Sequence, residues 1–147
     1  MIRLDLIRRA FDTAMLAKMR ELMPENPSPF VWLPINSDAN PEAGKLQILT
    51  SLQPGQAYSE ELGGADALSR RVGVYIITQS LPKKMSVDTS WKIGGELEMI
   101  FRRNKLQTEQ CPVQCQEPYT ESRGTDPEQG RFLISTTVPW YVILPGI

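Results

Sequence analysis

Two cysteines sit close together in Cys111-Pro-Val-Gln-Cys115. Paired thiols can close a disulfide or hold a soft metal. In an extended segment they share a face but lie about 13 Å apart, at ~3.3 Å per residue, too far to bridge one another. A structural metal site needs about four ligands, and the chain offers no histidine and no third cysteine. Two plain strand thiols are the expectation. The carboxylates do not converge either. Glu42, Glu60, Glu61, Glu117, Glu121, Asp126 and Glu128 fall in turn-rich stretches. Glu96 and Glu98 share a predicted helix, but i, i+2 spacing sends them to different faces. The lack of histidine removes the commonest general base and metal ligand. There is no G-x-S-x-G or S-x-x-K pattern, and no phosphate-loop pattern surrounds Gly94-Gly95. Trp32, Trp91 and Trp140 lack the interleaved basic residues of a base-stacking platform. The residues therefore predict no catalytic group, no metal and no cofactor. What remains is an interaction feature: Tyr58, Glu60 and Glu61 lie across a long unpatterned stretch from Arg70 and Arg71.

The elements that position these residues belong to one ordinary globular domain, residues 1–147. Apolar residues make up 41% of the chain and the net charge is −1, which argues against a sequence-independent grip on nucleic acid. Charges spread over the first twenty residues leave no signal-peptide core. No apolar run reaches the roughly 20 residues needed to span a bilayer. A cytoplasmic protein is expected.

Read in order, residues 2–22 predict an amphipathic helix. Ile7, Ala10, Phe11, Ala14 and Lys18 recur at i, i+3, i+4, i+7, flanked by Leu4 and Met15, and Pro24 stops it. Residues 30–36 predict a short strand at a sheet edge or ending at Pro34, and 45–52 a second strand. Residues 53–69 show no usable period and read as a long loop or an arm that orders against a partner. Residues 70–81, R-R-V-G-V-Y-I-I-T-Q-S-L, form the central strand. Five of the eight residues from Val72 to Gln79 are β-branched, which predicts cover on both faces.

Residues 85–103 predict a second helix, with Ser86 as N-cap, Asp88 in the first turn and Arg102 and Arg103 at the C-terminal end. Its apolar stripe is Ile93, Leu97, Ile100 and Phe101, extended by Trp91 and Val87. Gly94-Gly95 costs the helix roughly 1 kcal/mol per glycine, which close approach of a neighbouring element would explain. A weak strand or strand pair follows over 106–116, then a second polar loop over 117–130. Over 131–144, Phe132, Ile134, Thr136, Val138, Trp140 and Val142 alternate as a half-buried strand, with Pro139 implying an edge or a bulge. The order α-β-β-β-α-β-β predicts an α+β fold: a mostly antiparallel sheet with two helices packed on one face.

The landmarks F-V-W-L-P-I-N at 30–36, K-L-Q-I-L-T-S-L-Q-P at 45–54, R-R-V-G-V-Y-I-I-T at 70–78, E-L-E-M-I-F-R-R at 96–103, Glu117-Pro-Tyr119 and G-R-F-L-I-S-T-T-V at 130–138 resemble, in this order, the tail terminator family of long-tailed bacteriophages. The L-P-K-K-M-S connection at 81–86 and the C-P-V-Q-C segment depart from that pattern. The resemblance implies a structural, non-enzymatic protein. It would form a ring, a homohexamer, that caps the tail tube, ends its polymerisation and offers a surface to head-completion protein. DNA would pass through the lumen unread. The implied partners are the chain itself, the tail tube protein and the head-completion protein, and the implied location is the virion tail, assembled in the host bacterial cytoplasm. Ring contacts would be head-to-tail, made by edge strands and by the arm with Tyr58, Glu60, Glu61, Arg70 and Arg71; Arg71→Glu should then weaken assembly and leave the fold intact. Arg70 and Arg71 as strand-end charges in solvent is the other reading. A head–tail connector or stopper with a similar sheet, or a small metal-dependent hydrolase, are the alternative functions.

Overall fold

In the computed structural model of the chain, residues 2–34, 44–59, 68–128 and 130–145 are described. The β-branched run at 70–81 becomes the middle of a sheet. This strand, β3 (Leu68–Leu81), pairs antiparallel on one side with β2 (Leu46–Ser59). On the other side it pairs antiparallel with β7 (Phe132–Pro145), in register from Leu81↔Phe132 to Leu68↔Pro145. A short β1 (Phe30–Pro34) adds to β2 in parallel. Beyond β7 lie β5 (Val113–Cys115), which in turn pairs β4 (Lys105–Leu106), and β6 (Tyr119–Thr125). The fold is α+β, and the order α-β-β-β-α-β-β holds. Each of the last two β units is itself a strand pair: 105–115 supplies β4 and β5, and β7 is joined by β6 from the preceding stretch.

Helices α1 (Leu4–Leu22) and α2 (Val87–Phe101) cover one face of this sheet. From α1 the side chains of Leu6, Ile7, Phe11, Asp12, Met15 and Met19 are buried. Ala10, Ala14 and Lys18, placed in the stripe by spacing, are only partly covered. Larger methionines gain more from the core than alanine does, so the helix turns Met15 and Met19 inward. Phe11 stacks on Tyr75 of β3 with ring centroids 4.5 Å apart, and Phe101 of α2 closes the cluster at 5.5 Å from Phe11. Ser86 caps α2 by accepting from the Asp88 amide at 3.2 Å. Gln79 Nε2 donates to the Ser90 carbonyl at 3.1 Å and Ser90 Oγ donates back to Gln79 Oε1 at 2.8 Å, a buried link between β3 and α2.

Both glycines that break a pattern near the core have a neighbour that fills the space. A Cβ on Gly94 would lie 2.7 Å from Thr120 Cγ2, so this glycine lets α2 approach β6. A Cβ on Gly73 would meet the Trp140 indole and, at 2.8 Å, the Gln53 carbonyl.

Four sequence expectations are corrected. Strand β3 is fully buried on one face only: towards the helices Tyr75, Ile77 and Gln79 are buried, whereas on the other face Val72, Val74, Ile76 and Thr78 are half-buried and Ser80 is buried. Residues 53–59, expected as loop, continue β2 across a register shift between Pro54 and Ala57; pairing to β3 replaces the missing periodicity as the ordering force. The stretch 117–130, also expected as loop, carries β6, whose side chains are almost all exposed. Such an edge strand is held by its backbone ladder to β7, which leaves no hydrophobic alternation to read. Finally, of the edge or bulge expected at Pro139, the edge is ruled out because β7 is internal, while the register beside it shifts by one residue between Cys115↔Trp140 and Tyr119↔Thr137. In an antiparallel ladder a residue's N–H and C=O point to the same side. The Pro139 carbonyl accepts from Gln116 at 2.8 Å, so its missing donor faces the place where β6 gives way to β5. Pro34 ends β1, the outer strand of the sheet, as expected.

Candidate functional site

The two faces of the sheet differ because alternate residues of β3 and β7 meet different surroundings. Tyr75, Ile77, Val138, Trp140 and Val142 face the helices and are buried. The opposite face carries Val72, Val74 and Ile76 from β3, cross-strand from Tyr141, Pro139 and Thr137 of β7. Neither helix covers it. Val72, Val74, Ile76, Pro139 and Tyr141 are half-buried, Ile143 on the same face is 43% exposed, and Thr137 and Ser135 at its other end are buried. These β-branched and aromatic residues, held half-wet side by side on β3 and β7, form a contiguous apolar patch of the kind that marks an interaction surface.

Arginines flank this patch. The Arg70 guanidinium lies 4.1 Å from the centroid of the Tyr141 ring, a cation–π contact that lays its stem along the patch. At the far side Arg123 Nε donates to Ser135 Oγ at 3.0 Å, and Tyr119, cross-strand from Thr137, is 51% exposed.

Of the residues singled out from sequence, Tyr58, Arg70 and Arg71 come together as backbone partners: Tyr58↔Arg70 and Ala57↔Arg71. Glu60 and Glu61 lie outside the described residues. Arg70 and Arg71 are half-buried, and neither is a free strand-end charge. Arg71 Nε donates to the Gly55 carbonyl at 3.2 Å, bracing the β2–β3 hairpin across its register shift. Sequence reading missed the patch itself, having expected β3 to be covered on both faces. A signal was present: the off-face positions of β7 include Leu133, Pro139, Tyr141 and Ile143, which are apolar where a wet face would carry charge.

A second group was also missed. On α1, Asp12 is 8% exposed and accepts from the Tyr75 hydroxyl, with Arg8 Nε 3.5 Å from its other oxygen. Trp32 Nε1 donates to Thr50 Oγ1 at 3.0 Å nearby. Burial first, and then the Asp12 charge, pushes the Tyr75 phenol well above its ordinary value. These groups satisfy one another, and the arrangement joins helix to sheet. The cysteines are free and buried. Desolvation pushes the Cys115 thiol up to about 12 and raises that of Cys111. Among the described residues no group of three or more His, Cys, Asp or Glu is placed to hold a metal ion. Among them no helix is long and apolar enough to cross a membrane.

No family model matches the chain, and no curated protein does. Several solved structures are similar; one, at 18% identity, has 97% of this chain and 96% of its own covered and a TM-score of 0.66. That likeness extends to the fold.

Proposed function

We propose that this chain is a structural assembly subunit, of the kind that caps a bacteriophage tail tube as a ring and presents a surface for head joining. The observation that carries the reading is the half-buried apolar sheet face with Val72, Val74, Ile76, Tyr141 and Ile143, which neither helix covers. Among the described residues both helices lie on one face, and the middle of the other face stays half-buried. Assembly with a neighbouring copy would finish the burial. Among the described residues the edge strands β1 and β6 each pair on one side only, which offers backbone groups for strand addition. The family resemblance of the sequence landmarks narrows the assembly to a tail terminator in the virion tail, and assigns the chain no catalytic step. The net charge of −1 suits a lumen that conducts DNA without holding it.

Light scattering and electron microscopy of the purified protein, alone and with tail tube subunits, test this. Rings that cap tubes and stop their growth are the expected result. Persistent monomers with tubes present, or rings that join head and tail without ending tube growth, would replace it with a lone subunit or a connector.

A further inference from the structure

We propose that the outer edge of β6 is the acceptor for an extended segment of a different protein, which adds to the sheet as one more strand. The assignment rests on reading the chain as an assembly subunit, and does not require a ring. Among the described residues the strands with an outer edge are β1, β4 and β6. The first two are closed by side chains of their own chain. Leu46 N donates to the Pro29 carbonyl, so Pro29, Val31 and Leu33 turn their backbone groups toward β2, and Phe30, Trp32 and Pro34 turn theirs outward. Ser28 Oγ accepts from the Phe30 N–H at 3.4 Å and donates to the Phe30 carbonyl at 3.0 Å. Pro34 has no N–H to offer, which leaves Trp32 alone. In β4, Cys115 N donates to the Asn104 carbonyl, so Lys105 faces outward. Its N–H is taken by Asn104 Oδ1 at 2.9 Å. Edges blunted in this way resist strand addition.

Strand β6 carries no such cap. The carbonyls of Arg131 and Pro139 accept from the Asp126 and Gln116 amides, so odd-numbered residues of β7 point their backbone groups toward β6. Their partners Tyr119, Glu121 and Gly124 face inward, and Thr120, Ser122 and Thr125 face out. All residues of β6 except the half-buried Thr120 are exposed. The surroundings of this edge define what fits. Glu96 pairs Lys18 at 3.3 Å, which turns that flank of α2 toward α1. Gly94 lies against Thr120, and Arg102 pairs Glu117 at 3.2 Å, which turns the opposite flank toward β6. Trp91, three residues before Gly94, stands on that flank with Val87. Sequence periodicity placed both with the core stripe; they are instead 42% and 40% exposed. A strand added beside β6 would therefore carry apolar side chains opposite Thr120 and Ser122, on the side of Trp91 and Val87. On the other side it would carry a basic residue opposite Glu121. A second copy does not meet this need. Among the described residues a copy has only β6 to offer, and pairing Thr120 with Ser122 of the second copy sets Glu121 against the same glutamate.

The probe is the capped peptide S-V-K-V-S, palindromic so that it can add in either direction, titrated into isotope-labelled protein and followed by NMR. Saturable shifts are expected at the Thr120 and Ser122 amides and the Trp91 indole, and none at Trp32 or Lys105. Ser122→Pro removes an outward N–H that β7 does not use, a change an edge strand tolerates. It should weaken binding by about tenfold or more, as loss of a hydrogen bond does. Glu121→Lys, on an exposed side chain, should weaken binding of S-V-K-V-S and strengthen binding of S-V-E-V-S. No shift in β6, equal shifts at Trp32, undiminished binding by Ser122→Pro, or indifference of Glu121→Lys to the charge of the peptide would each overturn the proposal. So would protection of the Ser122 amide that grows with protein concentration alone, the mark of a second copy on this edge. Rings that form while the peptide fails to bind would leave the sheet-face reading standing and remove this one; binding without rings would do the reverse.

Discussion

Tyr75, on the central strand β3, donates its hydroxyl hydrogen to the carboxylate of Asp12 on α1, and both side chains are buried. Strand and helix lie far apart in sequence, so this bond fixes how α1 sits on the sheet. The Phe11 ring stacked on Tyr75 aligns the same two elements through apolar contact. A buried carboxylate is tolerated only when it is hydrogen-bonded and paired. Here Tyr75 and Arg8 meet that need.

Tyr75→Phe keeps the ring contacts and deletes the donor. Asp12 then stays buried with Arg8 alone. The expected loss is about 1.5–3 kcal/mol, the range for a hydrogen bond to a charged group. Urea unfolding measures it; a change of a few tenths would show that the bond adds little.

The adjacent glycines of α2 should respond in opposite directions. Gly94→Ala drives a methyl into Thr120, whose hydroxyl already bonds Thr136 at 2.9 Å; a loss of about 1–3 kcal/mol is expected from overpacking. Gly95→Ala meets open space and should gain up to about 1 kcal/mol from helix propensity. Thermal denaturation of dilute protein separates the two.

Arg131 is 7% exposed and donates to Ser80 Oγ and the Ser80 carbonyl, both at 2.8 Å, and to the Lys45 carbonyl at 2.6 Å. It ties one end of β7 to β3 and to the start of β2. Burial lowers its pKa from the usual guanidinium value. Arg131→Met leaves these carbonyls without that donor, each costing about 1–3 kcal/mol if no water reaches it. The variant should unfold at clearly lower denaturant; an unchanged midpoint would mean that water substitutes fully.

Cys115 should resist thiol reagents at neutral pH until the protein unfolds. Its pKa is raised by burial to about 12, so the reactive thiolate is scarce. Linkage has a defined sign. Below about 9 the thiol is neutral in both states; as pH rises from there toward 12 the unfolded chain loses the proton first, and stability falls. Labelling of the native protein at a rate equal to that of the denatured chain would refute the burial.

Val74→Lys places a charge in the middle of the open sheet face, where a strand pleat can hold it toward solvent. The monomer fold should survive, judged by circular dichroism, and ring assembly should be lost. Arg71→Glu is the milder counterpart. It removes the bond to Gly55 and should loosen the β2–β3 hairpin locally, weakening assembly only if that end takes part. Normal rings from Val74→Lys would exclude this face as the interface.

The sequence by itself determined the elements whose stability is local or repetitive. Ser86 before a helical stripe announced α2 and its cap. The alternation from Phe132 to Val142 announced β7. β-Branched residues from Val72 to Thr78 announced the central strand, and the order of these elements fixed the α+β class. Tertiary structure alone decided which faces were covered. Val72, Val74 and Ile76 are as apolar as their buried neighbours, and no residue pattern says where two helices will lie. Residues 53–59 and β6 became strands because long neighbours offered them a backbone ladder, an interaction that carries no side-chain code. Asp12 reads as a surface acid on a helical wheel, and became a buried one because Tyr75, sixty-three residues later, arrived to meet it.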